Sequence, residues 1–139
     1  MIDCLIIGDS IAVGVATARP ECVSYSKGGW NTWQWNRDYL KNDLTANTVI
    51  ISLGSNDHKG IKTQVELEKL RAKVKGSRVF WILPAGNLKA SNVPIEQIQS
   101  IVNDIAQRNG DVVLPIARLQ ADGIHPSWAG YKQLAEKTK

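Results

Sequence analysis

The sequence predicts an α/β fold built on a central parallel sheet, and three observations point there. Four short apolar runs, Asp3–Ile7, Thr48–Leu53, Arg78–Leu83 and Asp111–Leu114, are continuous rather than alternating. Runs of that length and pattern suit strands buried on both faces. Segments with helical periodicity separate them, so strand and helix alternate along the whole chain. Parallel neighbours need crossover connections, and these are right-handed.

The elements follow in order. The first strand, Asp3–Ile7, runs into a short helix over Ser10–Thr17. Cys22–Tyr25 is a fifth, weaker strand, followed by a helix over Trp30–Leu44 and then the strand Thr48–Leu53. In the segment Ile61–Val74 the positions Ile61, Val65, Leu70 and Val74 mark one face of a helix that Gly76 ends. After Arg78–Leu83, the residues Ile95, Ile98, Ile101, Val102 and Ile105 keep helical spacing over Pro94–Gln107. Pro94 suits the first turn, and Gly110 lies just past the end. Asp111–Leu114 is the last strand, and a helix runs from Ser127 to the C-terminus. One domain over residues 1–139 accounts for all of this. Its expected form is a three-layer α/β/α sandwich with a five-stranded parallel sheet in the flavodoxin-like order 2-1-3-4-5.

Composition narrows the function classes. With 139 residues, 43% hydrophobic and 22% charged, the chain can build a core without a metal or disulfide staple. No apolar run approaches the ~20 residues of a membrane span, so no membrane insertion is expected. No signal-peptide pattern is visible at the start, which makes the cytoplasm the default compartment. The net charge of +4 comes from scattered basic residues, read as solvated surface, and no nucleic-acid partner is expected. Cys4 and Cys22 lie in apolar, strand-like segments and are expected to be buried free thiols rather than a disulfide. Two histidines and two cysteines at these spacings form no metal-ligand cluster, so neither a metal nor an organic cofactor is expected.

In parallel sheets ligands bind beyond the carboxyl ends of the strands. Four polar, glycine-punctuated segments fall there: Gly8-Asp9-Ser10, Gly28-Gly29-Trp30, Gly54-Ser55-Asn56-Asp57 and Asp122-Gly123-Ile124-His125. Acyl transfer needs a nucleophilic oxygen, a base touching it, a group orienting the base, and donors for the developing oxyanion. Ser10 sits in a strand-to-helix turn, with its backbone N–H at a helix N-terminus. Asp122 lies three residues before His125, close enough to hold one imidazole nitrogen while the other faces Ser10. Asn56 offers an amide N–H and Gly29 a backbone N–H to the oxyanion; Gly28 is the alternative donor. Asp9 reads as structural, holding the turn by side-chain hydrogen bonds. His58 reads as a solvated loop residue.

Rival chemistries lack their residues. The stretch Gly8–Gly14 has neither the Lys-Ser/Thr of a P-loop nor the G-x-G-x-x-G spacing of a dinucleotide site. Ala12 stands where the nucleophile elbow G-x-S-x-G needs its second glycine.

The four segments, in this order and spread from residue 8 to residue 125, resemble the blocks of the SGNH hydrolases, or GDSL-type esterases. The resemblance implies Ser10, Gly29, Asn56 and His125 as the named residues, with Asp122 completing a catalytic triad. It implies hydrolysis of a carboxylic ester through an acyl-enzyme, the substrate being a small-molecule or glycan ester. The departures are Ile11-Ala12-Val13-Gly14 after GDS and a chain that is short for the family.

Trp30, Trp33 and Trp35 fall within six residues and are expected to pack the second helix against the sheet together with Leu40 and Leu44. Trp30, next to Gly29, doubles as a candidate wall of the substrate site. The irregular stretches carry few large apolar residues, namely Leu88, Val93, Ile116 and Leu119. An open site for short acyl groups is therefore expected, since a methylene gains ~0.8 kcal/mol only if buried.

Overall fold

The computed structural model describes residues 2–86 and 91–139. The chain order is β1 (Ile2–Gly8), α1 (Ser10–Ala18), β2 (Val23–Ser26), α2 (Thr32–Tyr39), β3 (Ala46–Ser52), α3 (Thr63–Lys73), β4 (Arg78–Ile82), α4 (Ile95–Asn109), β5 (Val112–Leu114) and α5 (Trp128–Lys137). All neighbouring strands pair in parallel, in the order β2-β1-β3-β4-β5. This is the expected α/β architecture.

Successive strand residues point to opposite faces, so each apolar run feeds two cores. Leu5, Ile7, Val49, Ile51 and Trp81 pack with Trp35, Leu67, Leu70, Val102 and Ile105 from α2, α3 and α4. Ile6, Ile50, Phe80 and Ile82 pack on the other face with Ile11, Ala12 and Val15 of α1 and Leu134 of α5. Each large aliphatic residue buried in this way is worth about 1.5–3 kcal/mol. Two such faces are why the strands read as unbroken apolar runs.

Helix boundaries follow caps rather than periodicity. Asn31 caps α2 by accepting from Gln34 N at 2.9 Å, and the Gln34 side chain accepts from Asn31 N at 2.9 Å. That capping box starts α2 at Thr32, so Trp30 lies outside the helix. Leu44 lies beyond the helix end and is buried as a loop residue.

Two expectations fail. Cys4 and Cys22 are joined in a disulfide with their Cα atoms 4.9 Å apart, not free thiols. The parallel register that pairs Leu5 with Val23 sets the two preceding cysteines side by side. Trp33 does not pack α2 on the sheet: it is 50% exposed, while Trp35 is wholly buried. Helix residues two apart cannot share a face, so one had to point outward. Trp35 also donates its indole N–H to Tyr25 O at 2.8 Å, which ties α2 to β2.

The carboxyl end of β1 is unusually close to β3. A Cβ on Gly8, whose φ is +153°, would lie 1.9 Å from Ser52 O. Only glycine lets the turn carrying Asp9 and Ser10 start there.

Candidate active site

Ser10 is the first residue of α1, and Asp9 is its N-cap: Oδ1 of Asp9 accepts from Ile11 N at 3.0 Å. Asp9 is wholly buried, and its Oδ2 has no hydrogen-bond partner among the described residues. Burial pushes its pKa up to about 7, against the Ile11 N–H and the nearby His125, which favour the anion; Asp57 adds to the rise.

The base arrives on the loop before α5. His125 Nε2 is 2.9 Å from Ser10 Oγ, and His125 Nδ1 is 2.7 Å from Asp122 Oδ2. Asp122 Oδ1 also accepts from Ile124 N at 2.9 Å and His125 N at 3.0 Å. The Ile124 N–H, the His125 ring and the His125 N–H hold the Asp122 carboxyl down at about 2. Asp122 is therefore an anion at neutral pH. Nδ1 carries the proton it accepts, and Nε2 is left to accept from the serine hydroxyl.

This loop braces itself. Gln120 N donates to His125 O at 2.8 Å, Gln120 Nε2 to Pro126 O at 3.0 Å, and Gly123 N to Gln120 O at 3.0 Å. Gly123, with φ +69°, makes the reversal that returns the chain to Asp122 Oδ1.

On the other side of Ser10, Asn56 donates its amide Nδ2 to Trp30 O at 3.0 Å. One of its two N–H groups is thus used to fix the side chain, and the other is left over. Lys27 to Trp30 form a turn closed by Trp30 N and Lys27 O at 3.4 Å, with Gly29 at φ +80°. A Cβ on Gly28 would lie 3.8 Å from Ser10 Cβ, so this turn runs alongside the serine.

Asp57 is the residue whose part the sequence did not reveal. It is buried, and it accepts from Thr32 N at 2.8 Å, Thr32 Oγ1 at 2.8 Å and Thr63 Oγ1 at 2.6 Å. Burial raises its pKa, while the Thr63 and Thr32 donors pull it down. One carboxylate thus clamps the first turns of α2 and α3 to the loop after β3, and so fixes Asn56 against Trp30. A threonine at the first position of each helix was the only sequence signal.

Trp30 is half-buried beside Tyr39, at 5.9 Å between ring centres. His58 is exposed and accepts from Gly60 N at 3.2 Å through Nδ1, a loop role as expected. Leu88 lies outside the described residues. Between the first turns of α3 and α4 is a groove of about 610 Å³, lined by His58, Lys62, Val65, Pro94, Ile98 and Ile101 among others. No large apolar hollow was expected near the strand ends. Gly54 explains the groove's floor, since a Cβ there would lie 2.7 Å from Ile98 Cγ2. Ser10, Asn56, Asp122 and His125 do not line it.

No protein-family model and no curated protein sequence matches the chain. Solved structures do. A Bacteroides fragilis protein described as an acylhydrolase superposes with a TM-score of 0.69 at 19% identity, covering 96% of this chain and 83% of that one. A Desulfitobacterium hafniense protein assigned to the G-D-S-L lipolytic family gives 0.65 at 18% identity, with 98% and 97% covered. The fold is that of GDSL-type acylhydrolases. The catalytic domain of Streptococcus pneumoniae peptidoglycan O-acetyltransferase A, solved with a methylsulfonyl adduct, also matches, with a TM-score of 0.67 at 17% identity and 99% and 96% covered. At these identities the likeness concerns architecture.

Proposed function

We propose that this chain is a serine hydrolase that cleaves carboxylic esters of short acyl groups through an acyl-enzyme. The observation that carries the reading is the unbroken line of hydrogen bonds from Ser10 through His125 to Asp122. His125 takes the Ser10 proton as Oγ attacks the ester carbonyl. The same proton then passes to the leaving alkoxide, which departs as an alcohol and leaves an acyl-serine. Water, deprotonated by His125, attacks that ester; the carboxylic acid leaves and Ser10 regains its proton.

The backbone N–H groups of Ser10 and Gly29 and the spare N–H of Asn56 are the oxyanion donors in this scheme. Asp122 fixes the imidazole tautomer and stabilises its cation without itself taking a proton. Trp30 walls the acyl site. The chemistry uses no metal or organic cofactor.

A lipolytic esterase or thioesterase is the second reading, favoured by the α3–α4 groove with Val65, Ile98 and Ile101 in its lining. Two measurements decide. A fluorophosphonate probe labels the wild type and not Ser10→Ala; absence of labelling on the wild type would mean a catalytically silent module. On a p-nitrophenyl ester series, kcat/KM peaks between acetyl and butyryl. A maximum at octanoyl or longer would transfer the acyl chain to the groove and promote the lipolytic reading. Titrating released acid separates hydrolysis from transfer to a sugar hydroxyl, the reaction in the name of one similar structure.

A further inference from the structure

Trp33 is half exposed at the first turn of α2, where it packs no core. A single exposed indole needs no explanation. This one is not alone. The Arg37 guanidinium lies 5.2 Å from the Trp33 ring centre and 5.6 Å from that of Trp30, and Lys27 Nζ lies 5.6 Å from Trp30. Arg37 is itself held by Asp38, Nε to Oδ1 at 3.1 Å and Nη2 to Oδ2 at 3.3 Å. A held guanidinium between two indoles keeps the exposed ring in one pose, which lowers the entropy a ligand must remove on docking. The ledge also adjoins the chemistry, because Trp30 O accepts from Asn56 and Thr32 is bound by Asp57.

We propose that Trp33, Arg37, Trp30 and Lys27 form a sugar-binding ledge for an acidic glycan whose acyl substituent enters at Ser10. This rests on the esterase reading above and names its substrate class. The apolar C–H face of a pyranose ring covers an indole, while neighbouring N–H donors satisfy its hydroxyls. Charge favours an acidic chain. Beyond Asn56 the loop continues through His58, Lys59 and Lys62, and Lys27, Lys59 and Lys62 make no ion pair among the described residues. An acyl chain seeks an enclosed apolar groove rather than a half-exposed ring. Nucleic-acid bases also stack on such rings, but their repeating unit offers no carboxylic ester to Ser10.

The test compares Trp33→Ala with wild type on p-nitrophenyl acetate, O-acetylated galacturonan and O-acetylated xylan. The expected result is activity within about twofold on p-nitrophenyl acetate, and a kcat/KM on the galacturonan about tenfold lower, carried by KM. Higher ionic strength raises KM for the galacturonan and leaves the xylan unchanged. Galacturonan binding by the Ser10→Ala protein, followed by tryptophan fluorescence, weakens in Ser10→Ala/Trp33→Ala. Unchanged galacturonan kinetics, or an equal loss on p-nitrophenyl acetate, overturns the ledge. Equal use of xylan and galacturonan overturns the acidic assignment, and displacement of the glycan by single-stranded DNA overturns the glycan one. The binding arm needs no turnover. A wild type without esterase activity whose Ser10→Ala form still binds galacturonan through Trp33 removes the hydrolase reading and keeps the ledge.

Discussion

Asp9 and Asp122 flank the same serine and histidine, yet burial lifts one carboxyl to about 7 while three N–H donors hold the other at about 2. The nucleophile side is built into the core: Asp9 and Asp57 are both buried, and Gly8 lets β1 touch β3. The base side lies at the surface, with Asp122 41% and His125 32% exposed along their side chains, held by the loop's own hydrogen bonds. A buried carboxyl can sit half-protonated and still cap a helix, because one oxygen is enough for the Ile11 N–H. An orienting carboxyl has to be an anion, and here backbone donors supply what burial would remove.

Substitutions on each side can break this contrast. Ser10→Ala and His125→Ala should each cost roughly 10⁴-fold or more in kcat. Thermal melts should stay close to wild type, because both groups sit at the sheet edge. Substantial activity in either variant, purified from an esterase-free host, would dissolve the triad.

Asp122→Asn should cost less than His125→Ala, roughly 10³-fold in kcat, since water reaches the exposed imidazole and partly replaces the carboxylate. A loss equal to that of His125→Ala would mean that the loop's own bonds do not hold the ring. Activity should also fall toward acid as His125 takes up a proton. Asp122 stays ionised throughout that fall, so the limb should follow a single titration.

Asn56→Ala should lower kcat by roughly 10²–10³ with little change in KM, the usual loss of one oxyanion donor. A rise in KM at constant kcat would make Asn56 a substrate-binding residue, or a support for Trp30 alone.

The smallest effect falls on stability, at Asp9. Its folded pKa lies well above that of an unfolded aspartate, near ~3.9. Between those values the folded chain keeps a proton that the unfolded chain releases, so Asp9 costs stability as pH rises from about 4 through 7. Asp9→Asn keeps an oxygen for the Ile11 N–H and does not titrate. Its melting temperature relative to wild type should therefore climb between pH 5 and 8, by an amount on the order of 2–4 kcal/mol in stability. A difference that is flat with pH would show that Asp9 does not titrate in that window.

Strands and strand order were legible because burial on both faces leaves unbroken apolar runs such as Thr48–Leu53. The four polar segments were legible because parallel strands deliver their carboxyl ends to one edge. What escaped depends on pairings across the chain. The Cys4–Cys22 bond follows from a register, and the clamp on Asp57 from threonines 25 and 6 residues away. Three tryptophans in six residues gave no sign of which would face out, because the Asn31 cap sets the phase of α2.

The hydrogen bond between Ser10 and His125 spans 115 residues. It closes only when α5 docks on α1, a contact so tight that a Cβ on Gly14 would lie 2.2 Å from the Tyr131 ring. Pairings this distant are the slow ones to form, because the entropy of closing a long loop is lost before the contact returns anything. Esterase activity is therefore a late event in the life of each molecule. A chain still emerging from the ribosome can have Ser10, Asn56 and most of the sheet in place and remain chemically inert. It acquires its base only after the segment carrying Asp122, His125 and α5 has been synthesised and has folded back onto its first helix.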